Sequence, residues 1–162
     1  MVKSDNLTAE LLIKTIGFEA NKKEGNWKNG LEEVRKFIND SVGIDTATFS
    51  IQDGSGVSRY NYGSPSQYID LLKWAYNNKA IRDQFISTLP NSTPKGVLNK
   101  RSLPNKVYAK TGSLSGVTTF SGYIFTNSGE IVAFSILMNG FKGDSLPYKN
   151  LQDKIVSALS MI

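Results

Sequence analysis

Residues 106–113 read KVYAKTGS, residues 117–126 read VTTFSGYIFT, and residues 131–138 read IVAFSILM. β-Branched and aromatic residues crowd all three runs, the composition of strands. Asn127-Ser128-Gly129 between the second and third is a tight-turn signal. Strands in such quick succession predict an antiparallel meander. The third run is apolar on both faces, the pattern of a strand with layers packed above and below it.

Working outward, helical periodicity surrounds this meander. Residues 7–18 put Leu7, Leu11, Leu12 and Ile16 on one face with Ile13 nearby, and Glu10 with Lys14 as an outward i,i+4 pair. Residues 30–42 carry the stripe Leu31, Val34, Ile38 and Val42, opened by an Asn29/Glu32 capping box and closed by Gly43. Residues 46–51 read as a strand, followed by a turn at Asp53-Gly54-Ser55-Gly56. Ser64, Pro65 and Gln67 mark a third helix start, with Tyr68, Leu71, Leu72 and Ala75 at helical spacing. A short helix follows over 81–88, and residues 90–105, with three prolines, read as an exposed loop. A final helix over 145–161 presents Leu151, Ile155, Leu159 and Ile162. The sum is an α+β fold, an antiparallel sheet meander covered by helices. No repeat or linker marks a domain boundary within the 162 residues.

Composition narrows the chemistry. The chain has no cysteine and no histidine, which excludes disulfides, thiolate nucleophiles, Cys/His zinc sites and imidazole bases. No apolar run approaches the roughly 20 residues of a membrane helix, and residues 1–6 lack a signal-peptide hydrophobic region. Nineteen basic against 14 acidic residues give a net charge of +5. Between Asp83 and Glu130 no residue is acidic, while Lys95, Lys100, Arg101, Lys106 and Lys110 are basic. That local field suits a carboxylate, a phosphate or an anionic polymer. Only Tyr108 interleaves the basic run, too few aromatics for base stacking, so nucleic acid is not the expected partner.

Phosphate loops, dinucleotide fingerprints and calcium loops are all missing. Gly112-Ser113-Leu114-Ser115-Gly116 imitates a nucleophile elbow, but leucine holds the central position. Two short motifs remain, Ser4-Asp5-Asn6 and Lys110-Thr111-Gly112-Ser113. Taken singly, the first is an ordinary helix N-cap and the second a surface lysine on a strand. In this order they match two of the three signatures of penicillin-recognising serine enzymes. Lys3-Ser4-Asp5-Asn6-Leu7 leading into Ala9-Glu10, the Asp53–Tyr60 segment, Ser64-Pro65, Ala109–Val117, Ser121-Gly122-Tyr123 and Asn139-Gly140 extend the match. Together they resemble the C-terminal part of a class C low-molecular-mass penicillin-binding protein, a serine-type D-alanyl-D-alanine carboxypeptidase/endopeptidase.

The resemblance implies that residues 1–162 form the C-terminal part of a β-lactamase/transpeptidase-like domain. It implies a peptidoglycan peptide ending in D-Ala-D-Ala as substrate, β-lactams as ligands of the parent protein, no cofactor or metal, and a bacterial envelope location. Ser4, Asn6 and Lys110 are the implied catalytic residues, and Thr111, Gly112 and Ser113 the implied substrate-binding ones. Ser4 would relay a proton to the leaving amine, and Asn6 would hold the substrate amide and the active-site lysine. The hydroxyls of Thr111 and Ser113 would meet the terminal carboxylate above Lys110, and the N–H of Ser113 would form half of an oxyanion hole. The family's nucleophilic Ser-x-x-Lys belongs upstream of Ser4. The sole such tetrapeptide here, Ser92-Thr93-Pro94-Lys95, lies in a Pro-rich loop that discourages a helix, so Ser92 reads as a loop serine.

Three further expectations follow. Side chains at i and i+2 share a side only in extended or turn backbone, so Ser4 and Asn6 should precede the first helix. Without the upstream part, an apolar face or sheet edge should lie open, or an oligomer should cover it. The chain alone should be inactive; the alternative function is a non-catalytic module for peptidoglycan or another anionic wall polymer.

Overall fold

The computed structural model describes residues 1–22, 24–104 and 106–162. These form two compact units, one of residues 3–71 and one of residues 72–162 together with Met1 and Val2. The absence of a linker in the sequence hides this division, because the third helix itself carries the chain from one unit to the other.

The first unit opens with α1 (Asn6–Asn21) and α2 (Trp27–Phe37). Asp5 caps α1 by accepting from the Thr8 N–H at 2.8 Å, and Asn26, not Asn29, caps α2 through the Asn29 N–H at 3.0 Å. The helices cross where two glycines meet. A Cβ on Gly17 would lie 2.7 Å from the Gly30 nitrogen, and one on Gly30 would lie 1.9 Å from the Ile13 carbonyl oxygen. That close crossing buries Ile13 and Gly17 against Gly30 and Leu31. It leaves the expected stripe Leu7, Leu11, Leu12 and Ile16 exposed. Small residues, not the large apolar ones, decided which face of α1 is covered. A wider π-helical turn, Ile38–Val42, prolongs α2 and ends at Gly43 in the left-handed conformation (φ 81°), as expected. The strand expected over 46–51 is absent. Thr46–Thr48 is a single 3₁₀ turn capped by Asp45, and pairing is limited to an isolated bridge from Ser50 to Tyr62.

α3 (Pro65–Asn77) begins with the expected reciprocal cap: the Gln67 carbonyl oxygen accepts from the Ser64 N–H at 2.7 Å. From Leu72 onward α3 belongs to the second unit, with α4 (Arg82–Thr88), β1 (Val107–Leu114), β2 (Val117–Phe125), β3 (Ile131–Asn139) and α5 (Leu146–Leu159). The strands form one antiparallel sheet in the order β1-β2-β3, with Thr111 opposite Phe120 and Ser121 opposite Ser135. One face packs Val107, Ala109, Phe120, Ile124 and Phe134 against Val156 of α5. The other packs Tyr123 against Leu72 and Leu89, flanked by Tyr76, Phe85 and Tyr108. The Tyr123 hydroxyl donates to the Leu72 carbonyl at 2.6 Å, and burial pushes its ionisation up to about 12.

Two expectations about this sheet change. The doubly covered strand is β2; β3 is an edge on which Phe134 alone is fully buried. α5 buries Gln152, Asp153 and Val156, while Leu151 and Ile155 lie outward. Arg101 draws the polar pair inward. Its Nε donates to Asp153 Oδ1 at 2.7 Å, its Nη2 to Gln152 Oε1 and the Lys149 carbonyl at 3.1 Å each, and its guanidinium sits 4.2 Å over the Phe120 ring. Residues 90–104 are consequently not a free loop: Pro90, Ser92 and Leu98 are buried. Asn105 lies outside the described residues. Among these residues no helix is long and apolar enough to cross a membrane.

Candidate active site

β1 alternates its side chains as expected. Val107 and Ala109 are buried on the α5 face, so Thr111 and Ser113 continue that row, and Lys110 and Gly112 belong to the opposite face. Lys110 is half-buried beside its strand partner Ser121, whose hydroxyl lies 2.9 Å from that of Ser135 on β3. The Lys110 amine donates to the Thr111 carbonyl at 2.7 Å, and burial pulls its pKa below the ordinary lysine value. A Cβ at Gly112 would lie 2.5 Å from Thr119 Oγ1, so a side chain there requires Thr119 to give way.

The outer edge of β1 is covered only over its first half. The Ala109 N–H donates to Pro90 O at 2.8 Å, and the Ser92 N–H to Val107 O at 3.0 Å. Residues 107 and 109 therefore turn their backbone groups outward, and by alternation so do Thr111 and Ser113. At these two, no backbone partner occupies the edge among the described residues. The strand thus presents an exposed Ser113 and a half-buried Thr111 whose carbonyl accepts from the Lys110 amine, along an edge with no backbone partner among the described residues.

Ser4, Asp5 and Asn6 belong to the first unit. Ser4 lies outside the helix with a left-handed backbone (φ 49°), Asp5 is the N-cap, and Asn6 is the first helical residue. The expectation that both Ser4 and Asn6 precede the helix is met for Ser4 alone, because the cap falls between them. Both side chains are exposed. Hydrogen bonds from the hydroxyl and the N–H of Thr8 hold the Asp5 carboxyl below its ordinary pKa.

Glu10 was read as an outward partner of Lys14, and the structure assigns it differently. Its carboxylate accepts from the N–H groups of Gly54 at 3.0 Å and Ser55 at 2.9 Å, and from the Trp27 indole at 2.8 Å. The Ser55 side chain, these backbone groups and the indole lower its pKa to about 2 against the opposing effect of burial. Lys14 instead lies 4.0 Å over the Trp27 ring. Glu10 thereby ties the Asp53 turn to α1, one helical turn from the Ser4–Asn6 motif. Contacts across 44 residues leave no local trace in a sequence. Asp53 closes the turn from within, accepting from the Gly56 N–H and Asn61 amide at 2.8 Å each.

Ser92 is buried and fully engaged. Its hydroxyl donates to the Pro104 carbonyl and accepts from the Val107 N–H at 3.1 Å, and Lys95 is exposed. It is a buried structural serine, where the sequence predicted one in an exposed loop. The basic run is also weaker than its count suggests, since Arg101 is spent on the buried Asp153.

A sequence profile of the D-Ala-D-Ala carboxypeptidase 3 (S13) family matches residues 1–161. The chain belongs to that family. Within it, the chain is 36% identical over 149 residues to the D-alanyl-D-alanine carboxypeptidase of Actinomadura sp. (strain R39), a match covering 86% of this chain and 27% of that one. It superposes with a TM-score of 0.86 and 28% identity on penicillin binding protein 4 (dacB) from Haemophilus influenzae in complex with a β-lactam, over 100% of this chain and 40% of that one. The TLA-3 extended-spectrum β-lactamase shares the fold (TM-score 0.73, 20% identity, 98% of this chain and 60% of that one). The α+β, β-lactamase-like architecture is therefore that of this S13 family member. The chain spans about a third of the length of the curated S13-type relatives it matches.

Proposed function

We propose that residues 1–162 supply the proton-relay and substrate-carboxylate elements of a serine-type D-Ala-D-Ala carboxypeptidase acting on peptidoglycan stem peptides in a bacterial envelope. The open edge of β1 at Thr111 and Ser113, with the Lys110 ammonium against it, is the observation that carries this reading. A peptide terminus lies along that edge as an added strand, its carboxylate accepting from the Thr111 and Ser113 hydroxyls near the Lys110 charge. Each such charge-assisted hydrogen bond contributes about 1.5–3 kcal/mol.

The nucleophile is a serine of a Ser-x-x-Lys motif outside these residues, since Ser92 is committed to Pro104 and Val107. Its oxygen attacks the carbonyl carbon of the penultimate D-alanine while its proton passes to the motif's lysine. The Ser113 N–H stabilises the oxyanion. The amide C–N bond then breaks, the departing D-alanine takes a proton through Ser4, and Asn6 holds the substrate amide. Water hydrolyses the resulting ester and restores the serine. β-Lactams enter the same path and remain at the ester. A fluorescent penicillin should leave the 162-residue chain unlabelled and label a polypeptide that extends upstream through the Ser-x-x-Lys. Covalent label at Ser92 would overturn the assignment.

A further inference from the structure

The segment from Asp53 to Asn61 is fastened twice. Asp53 closes it from within, its carboxylate accepting from the Gly56 N–H and the Asn61 amide at 2.8 Å each and from the Ser58 N–H at 2.5 Å. Asn61 Oδ1 accepts from the Gln52 N–H at 2.7 Å, which braces the loop at its base. Glu10 fastens it from outside, through the N–H groups of Gly54 and Ser55. Gly54 lies against α1 itself. A Cβ there would stand 2.5 Å from the Ala9 carbonyl oxygen and 2.6 Å from Ile13 Cγ1. Gly54 is not among the glycines of positive φ, so the helix and not the turn's own conformation opposes a side chain there.

Asn6 and Glu10 stand one turn apart on the same face of α1, and helical side chains lean toward the N-terminus. The loop is therefore clamped to the turns that follow the Ser4–Asn6 motif. Every polar group printed against the Glu10 carboxylate is a donor: two backbone N–H groups and the Trp27 indole. Such a set suits a carboxylate and disfavours an amide, whose NH₂ would face one of them. With those oxygens engaged and its pKa lowered to about 2, Glu10 has no proton to give at neutral pH.

We propose that Glu10 is a positioning residue for the reaction, locking the Asp53–Asn61 loop to α1 so that Ser4 and Asn6 are held for proton relay and amide binding. This rests on the carboxypeptidase reading of those two residues. Binding of the substrate carboxylate is assigned to Thr111 and Ser113, which the clamp does not touch. Its loss therefore lowers kcat and spares KM.

The test uses the polypeptide that extends upstream through the Ser-x-x-Lys, with a D-Ala-D-Ala peptide and a fluorescent penicillin. E10Q should keep its far-UV circular dichroism, slow kcat and acylation roughly tenfold to a hundredfold, and leave KM within about twofold. G54A disturbs the same contact from the loop side and should give the same signature. E10Q/G54A should be no slower than the worse single variant. Asp45→Ala removes the cap of the Thr46–Thr48 turn in the same unit; it should lower stability and leave kcat unchanged. In the 162-residue chain, E10Q should accelerate hydrogen exchange of the Gly54 and Ser55 amides. A wild type that takes no label removes the carboxypeptidase reading and this inference with it. A labelled wild type with E10Q at the wild-type kcat overturns the inference alone. So does a D45A variant as slow as E10Q, a loss confined to KM, or unchanged exchange at Gly54 and Ser55.

Discussion

Replacing Arg101 with methionine removes the tie between the 90–104 segment, α5 and the sheet. Arg101 is 16% exposed at its side chain and Asp153 9%, so the pair is largely withdrawn from water. Methionine fills much of the aliphatic stem, which leaves electrostatics as the main loss. Asp153 would be stranded as an unpaired buried charge. Gln152 would lose the donor to its carbonyl, although its Nε2 already lacks a partner. Removing one member of a buried pair costs roughly 3–5 kcal/mol, and the remaining solvent contact at Arg101 places the expectation near about 3 kcal/mol. Native-state hydrogen exchange of the β2 amides reads this locally, with no assumption that both units unfold together. Exchange of Phe120 and Ile124 should accelerate by somewhat more than a hundredfold. R101M/D153L should recover about half of the loss, and adding Gln152→Leu most of the rest, because each step deletes a polar group instead of stranding one. A cost below about 1 kcal/mol for R101M, or an R101M/D153L variant no more stable than R101M, would refute the argument.

Glu10 titrates from about 2 when folded, against 4.5 as its ordinary value, so folding favours its ionised form. Its contribution is complete above about pH 5 and fades as pH falls toward 2; solvent screening holds it to about 1 kcal/mol or less. Glu10→Gln should abolish that pH-dependent part of the first unit's stability, monitored through Trp27 fluorescence; an unchanged acid profile would contradict the bonding to Gly54 and Ser55. Gly112→Ala should destabilise β1 by about 1–3 kcal/mol through its contact with Thr119. G112A/T119A should recover most of that in thermal melts, whereas equal losses in both would show that Thr119 is not the obstacle.

The meander was legible because a strand's side-chain period of two and the turn at Asn127-Ser128-Gly129 are local properties. The Ser64/Gln67 cap and the Gly43 stop were legible for the same reason. The faces of α1 and α5 were not. On α1, Gly17 and Gly30 allow the helices to touch backbone to backbone, which turned Leu7 and Leu11 outward. On α5, the guanidinium of Arg101, 52 residues away from Asp153, pulled polar residues under the helix. Glu10 escaped notice because its partners lie 44 and 45 residues downstream. Of the candidate site, Lys110, Thr111, Gly112 and Ser113 were readable as a motif on a strand. That the second half of β1 has an open edge depended on where residues 90–92 stop covering it.

The sequence by itself determined the family, the strand register of the motif and the absence of imidazole or thiol chemistry, because residue identity and short-range alternation suffice for each. The tertiary structure alone decided which apolar surfaces are covered, where Arg101 and Glu10 direct their charges, and that Ser92 is a buried strut. Those outcomes turn on close approach between segments far apart in the chain, where a glycine without a Cβ or a single ion pair outweighs an amphipathic stripe.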